Sequence, residues 1–229
     1  NNSSLGRAAL EANTTGNNNT GIGFAALEAN TTGASNVAVG KSALAVNTTA
    51  SENTAVGTDA MTATTTGASN VAVGTDTLKS NTTGSSNTAL GAYSLDSNTT
   101  ASNNTAVGVH ALGANTTGSN NVGIGLQALF NNTGSANVAV GTTAANGNTT
   151  GSNNTAVGNN ALASITTGSE SVAIGAGALD AVTTSGTNVA VGYSAATSLT
   201  TTGVVAIGYK AMESSTTGYD TVAIGSNAL

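Results

Sequence analysis

A glycine that follows an aliphatic residue returns along this chain at Gly23, Gly40, Gly57, Gly74, Gly91, Gly108, Gly125, Gly141, Gly158, Gly175, Gly192, Gly208 and Gly225, with Gly6 as a slightly variant first member. The interval is 17 residues except for two steps of 16. Read from that glycine, the unit is G-x-x-A-L-x-x-N-T-T-G-x-x-N-[TV]-A-[VI]; fourteen copies begin in the 229 residues and thirteen are complete. A fixed short period of this kind marks a solenoid, in which no unit can bury its own face and each coil stacks on its neighbours. Such a period also separates the chain from disordered segments, which its low charge and abundance of Gly, Asn and Thr would otherwise suit.

Seventeen residues cannot hold two helices and their turns, and each unit interrupts any helix with two glycines and an Asn-Thr-Thr cluster. Two short strands and two bends do fit. The expected strands are [TV]-A-[VI], as in Val37-Ala38-Val39, and a segment centred on Ala-Leu, as in Ala43-Leu44. The Val-Gly corner and the Asn-Thr-Thr-Gly segment supply the bends, glycine being free to take positive φ. The expected fold is therefore all-β: a parallel β-solenoid (β-roll) of about 13–14 coils, one repetitive domain over residues 1–229. Since the chain starts at Asn1 and stops within a repeat at Leu229, a piece of a longer chain is expected.

Stacking in register places equivalent residues roughly 4.8 Å apart in columns. Leu10, Leu27, Leu44, Met61, Leu78, Leu95, Leu112, Leu129, Leu162, Leu179, Met212 and Leu229 make one apolar column, with Ala145 and Ala196 as gaps. Ile22, Val39, Val56, Val73, Leu90, Val107, Ile124, Val140, Val157, Ile174, Val191, Ile207 and Ile224 make a second. These two are expected to form the dry core of the coil. Asn19, Asn36, Asn53, Asn70, Asn87, Asn104, Asn121, Asn137, Asn154 and Asn188 make a third column, in which each amide can donate to one neighbour and accept from the other. Triplets that are apolar throughout, such as Val71-Ala72-Val73, suggest burial on both faces of the strand, because alternate side chains point to opposite faces. Side-by-side association of identical chains, first of all a parallel trimer, would supply that burial.

Composition excludes several function classes. Charged residues are 6% and aromatics 3%, against roughly 25% charged in a globular domain. Four basic residues (Arg7, Lys41, Lys79, Lys210) against ten acidic ones give a net charge of −6, too little positive charge for nucleic-acid binding. Cysteine is absent, so neither a disulfide nor a thiolate metal site holds the fold. No run of about 18 apolar residues is present to insert in a membrane as a helix.

Ser171-Val172-Ala173-Ile174-Gly175-Ala176-Gly177-Ala178 and Asn188-Val189-Ala190-Val191-Gly192 resemble the S-V-A-I-G-x-x-A signature of YadA-like head domains of trimeric autotransporter adhesins. The longer unit containing Asn-Thr-Thr-Gly also looks like repeats in the shafts of phage tail-fibre proteins that end in an autocleaving chaperone domain. The resemblance covers essentially the whole chain. It implies a left-handed β-roll wound as a parallel homotrimer, on a bacterial surface or a phage virion. The unit is three residues longer than the usual adhesin head unit, and none of the 229 residues reads as an anchor, stalk or chaperone segment. The expected role is that of a structural segment, shaft or head, which extends a receptor-binding tip.

Few residues compete for a chemical role. His110, the only histidine, occupies a variable position. The acidic residues (Glu11, Glu28, Glu52, Asp59, Asp76, Asp96, Glu170, Asp180, Glu213, Asp220) are scattered, although Asp59 and Asp76 share a position in adjacent coils and could hold a cation. No nucleophile–base constellation or metal cluster emerges, so no catalytic residue, cofactor or metal is expected, and the chain reads as a non-enzyme. Thr14, Thr31, Thr48, Thr65, Thr82, Thr99, Thr116, Thr133, Thr149, Thr166, Thr183, Thr200 and Thr216 form a column that suits an alternative, ice binding. Neighbouring threonines on a strand point to opposite faces, which counts against a flat array. Asn13, Asn30, Asn81 and Asn115 are formal N-glycosylation acceptors. Phe24, Tyr93, Phe130, Tyr193, Tyr209 and Tyr219 could serve a host-surface receptor or glycan, but they are expected to fall in different columns.

Overall fold

The computed structural model describes residues 1–229 and contains fourteen strands and no helix. The chain divides into two compact units, Asn1–Thr117 and Gly118–Leu229. The first holds Ser3–Leu5 (β1), Thr20–Ile22 (β2), Val37–Val39 (β3), Thr54–Val56 (β4), Val71–Val73 (β5), Thr88–Leu90 (β6) and Thr105–Val107 (β7). The second holds Val122–Ile124 (β8), Val138–Val140 (β9), Thr155–Val157 (β10), Val172–Ile174 (β11), Val189–Val191 (β12), Val205–Ile207 (β13) and Val222–Ile224 (β14). Within each unit, successive strands pair parallel with equivalent residues aligned: Val37 with Thr54, Ala38 with Ala55, Val39 with Val56, and likewise Val172 with Val189. Both units are parallel β-solenoids built from the 17-residue coil.

The two 16-residue steps leave that register intact, since Val122 pairs with Val138 and Val189 with Val205. The missing residue comes out of the bend. In a full coil the Asn148 side chain donates to the carbonyl three residues on, at Gly151 (2.9 Å), whereas in the short coil Asn132 donates two residues on, at Gly134 (2.8 Å).

Each coil carries one strand, where two were expected. The Ala-Leu segment is a run of turns. Its backbone explains why: Ser42 has φ 55° and Leu44 φ 51°, and the same two positions are positive in coil after coil. A pleated strand needs negative φ throughout, so this segment cannot be one. It nevertheless bonds to the next coil, with Leu27 N–H on Ala43 O (3.0 Å) and Ala29 N–H on Ala45 O (2.9 Å). Tight turns of the i to i+3 kind close on either side, at Gly40–Ala43 and Leu44–Asn47. Left-handed φ costs a non-glycine residue about 1–2 kcal/mol, so the ladder bonds and the packing of the Leu side chain must offset it.

The core differs from expectation in one column. Leu27, Leu44, Met61, Leu78, Leu95 and Leu112 in the first unit, and Leu129, Leu162, Leu179 and Met212 in the second, are fully buried as expected. The Val/Ile column is not its partner. Strands bury only their middle residue, Ala38, Ala55 and Ala72 for example, and turn both flanking residues outward. Strand alternation forces this: once the middle residue points in, the first and third share the opposite face. The inner layer is therefore Ala against Leu, and the Val/Ile side chains lie on the outer wall. Ala145 and Ala196 are packed closed, 1% and 0% exposed, so they leave no surface opening.

At the corner, Gly23 has φ 131°, a region open in practice only to glycine, and a Cβ there would lie 2.5 Å from the Gly40 carbonyl oxygen of the next coil. The corner glycine thus permits both the bend and the close stacking.

Candidate functional site

Two polar ladders run inside each unit, and both are structural. In the first, Asn36 N–H bonds to Asn19 Oδ1 (2.9 Å) and Asn36 Nδ2 donates to Ala50 O (2.9 Å) of the following coil. Asn53, Asn70 and Asn87 repeat this, all fully buried. Sequence reasoning anticipated this ladder. It missed the second, formed by the Asn of Asn-Thr-Thr: Asn30 Nδ2 donates to Asn13 Oδ1 and Asn47 Nδ2 to Asn30 Oδ1, each at 2.7 Å. The signal is present, since Asn recurs there once per coil, but a triplet of that composition reads equally well as a bend and a glycosylation motif. Burial overturns the glycosylation reading for the folded chain, because Asn30, Asn81 and Asn115 are 0% exposed. From Ile165 through Val182 to Leu199 the second ladder changes to buried aliphatic side chains.

The first Thr of each pair also serves the stack. Thr14 Oγ1 donates to Thr31 O and Thr31 Oγ1 to Thr48 O, both at 2.9 Å, and the pattern continues at Thr82, Thr149 and Thr166. These residues lie in the bend, not on a strand. The second Thr of the pair, as at Thr15, Thr32, Thr49, Thr66, Thr83 and Thr100, faces solvent.

Outward-facing groups are few, and several pair with their neighbours. Asp76 binds Lys79 (2.8 Å), which raises the Lys79 pKa through the side-chain hydrogen bond and the Asp76 charge. Asp59, in the adjacent coil, adds a smaller raising effect on the same ammonium through its charge. Lys210 binds Glu213 (3.0 Å) in the same i, i+3 arrangement. His110 stacks on Tyr93 with ring centroids 5.0 Å apart and 11° between planes. Its charge also works against the burial that raises the Asp96 pKa.

The aromatics are less scattered than expected. Phe24, Tyr193 and Tyr209 each follow a corner glycine and occupy one position of the repeat. Tyr193 and Tyr209 stack at 5.6 Å and 13°, both more than half exposed. Phe24 carries the Arg7 guanidinium 5.9 Å from its ring centroid. A shallow hollow beside it is lined by Arg7, Ala8, Glu11 and Glu28.

The outer wall of the strands is a repeating apolar surface. Val73, Leu90, Ile124, Ile174 and Ile207 are 37–41% exposed, and Thr or Val stands beside each of them at the first strand position. No His, Cys, Asp or Glu group of three or more gathers where a metal could bind, and no helix is long and apolar enough to cross a membrane. Compared with protein-family models, curated proteins and solved structures, the chain matches none.

Proposed function

We propose that this chain is a structural segment, shaft or head, of an extracellular fibre that holds a receptor-binding tip at a distance, as an adhesin on a bacterial surface or a tail fibre on a virion. In this reading the chain self-associates as a parallel homotrimer, and the left-handed winding implied by the sequence resemblance belongs to it too. The observation that carries it is the outward Val/Ile column. A soluble solenoid has no need of a partly exposed aliphatic residue at the same strand position in coil after coil, and contiguous apolar surface of this kind marks an interface. The occupant must present apolar groups at the coil spacing, and a second copy of this chain does so in coil after coil. Its coils bond to one another on every side, through Val37 N–H to Asn53 O, Leu27 N–H to Ala43 O and Thr31 N–H to Thr48 O, which suits a load-bearing role.

The native mass tests this. The assembly should weigh three times the 21.7 kDa chain, and a monomer at micromolar concentration would sink it. Ice binding is the second reading, favoured by the solvent-facing Thr at Thr15, Thr32 and Thr49. It is the weaker one, because the neighbouring Thr hydroxyls are committed to backbone carbonyls, so the bend itself offers a single file of hydroxyls and not a flat array. Absence of thermal hysteresis at high protein concentration would remove it.

A further inference from the structure

We infer that Tyr193, Ala176, Gly177 and Asp180 form a shallow binding site for a single pyranose ring of a saccharide. The site is built from columns of the coil wall. Tyr193 directly follows the Gly192 corner, so it stands past the end of the strand that carries the outward Val/Ile column. Adjacent coils are in register here, with Ser194 N–H on Ala176 O and Lys210 N–H on Tyr193 O, both at 2.9 Å. Tyr209 covers one face of the Tyr193 ring. Toward the preceding coil, the equivalent residue is Ala176, followed by Gly177.

Gly177 is the one residue at its repeat position that has no side chain; the same place holds Asp76, Tyr93, His110 and Lys210 in other coils. A Cβ on Gly177 would meet nothing nearer than Ser194 Oγ at 3.6 Å, so the wall is notched there. The edge of the notch is Asp180. Residues two and five places after a corner glycine are neighbours on this wall, as the Asp76–Lys79 and Lys210–Glu213 ion pairs show. Gly177 and Asp180 hold those two places in their coil, and Asp180 has no cation opposite it. Partial burial raises its carboxyl pKa, which accords with a group set into the wall.

An exposed phenol ring beside a small-residue floor and an edge carboxylate matches the chemistry of a sugar. The apolar C–H face of a pyranose lies against the ring, and ring hydroxyls donate to the carboxylate. Tyr209 stacks behind Tyr193 and backs the platform, and the Lys210 ammonium lies 5.7 Å from the Tyr209 centroid. Elsewhere on the wall, Tyr93 stacks on His110 and Phe24 is covered by Arg7, so neither couples a bare aromatic face to a notch.

The test is a titration of the whole 229-residue chain, in its native assembly, with neutral and amino hexopyranosides and their disaccharides up to about 50 mM. The readout is the Gly177 amide resonance. At least one sugar should shift it saturably. Tyr193→Ala and Gly177→Lys should each weaken binding about tenfold or more, and Tyr193→Phe should stay within about threefold. The fold accepts the lysine, since Lys210 occupies that position at φ 55°, and a cooperative melt lowered by no more than about 2–4 °C, the shift that a loss of about 1 kcal/mol gives, confirms it. Failure of every sugar to shift Gly177, or binding untouched by Tyr193→Ala, overturns the site without bearing on the fibre reading.

Discussion

At Asn47 the second ladder meets Thr64, which has no amide to donate back to it. The Asn47 Oδ1 and the Thr64 Oγ1 are both buried and without partners as a result. Thr64→Asn would restore an unbroken amide run from Asn47 to Asn81, and it should stabilise the fold by about 1–2 kcal/mol, seen as a raised midpoint in urea. The corner glycines make the opposite case. At Gly23, φ 131° and the 2.5 Å approach to the Gly40 oxygen act together, so Gly23→Ala should cost about 3 kcal/mol or more. Gly177→Ala separates the two effects. There φ is 68° and the nearest atom lies at 3.6 Å, so the loss should be only about 1 kcal/mol. Equal losses at the two positions in chemical unfolding would contradict the clash. The corner role of the glycines could be read from a single column of the repeat, whereas the second ladder, although its Asn recurs once per coil, was not recognised as one. What no column reveals is whether an amide is buried, because that depends on what the neighbouring bend covers.

Each coil devotes only three residues to its strand, and the Ala-Leu segment takes its place beside it as turns. This was not legible in the sequence: Ala and Leu have no preference for positive φ, and the alternation of an apolar pair with polar neighbours reads equally well as a strand. Stacking decides it, since a turn lets the Leu side chain point inward while its N–H still bonds to the next coil (Leu44 N–H to Ala60 O, 3.0 Å). Positions such as Ser42, at φ 55°, then carry strain without any inward packing. Ser42→Gly should be neutral or stabilising by up to about 1 kcal/mol, and Ser42→Val should destabilise by about 1–2 kcal/mol, because a β-branched side chain resists the left-handed region. Thermal melting of the two variants side by side distinguishes these outcomes. The chain itself places Gly177 at this position.

Across the molecule, carboxyl groups set the response to pH. Burial raises the pKa of Asp96, against the opposing charge of His110 and with a small contribution from Asp76, and burial raises that of Asp180. A carboxyl whose folded pKa lies above its unfolded one binds its proton more tightly in the folded state. Its unfavourable contribution is fully present above the folded pKa and disappears as pH falls through that value toward the unfolded one. The melting temperature should therefore rise modestly as pH is lowered from neutrality into the carboxyl range, aided by relief of the net charge of −6, and Asp96→Asn should flatten the rise. Self-association is tested on the outer wall. Val56→Lys with Val73→Lys places two charges on outward strand positions, so it should lower the mass of the assembly while each coil keeps its Ala-Leu core. Sequence alone determined the coil, its length and the columns, because a strict period leaves one way to stack equivalent residues. It also determined that the chain has two apolar columns. Only the tertiary structure decided which of them lies inside: with Ala38 and its equivalents turned inward, strand alternation sends the Val/Ile column to the outer wall and leaves Leu to close the core.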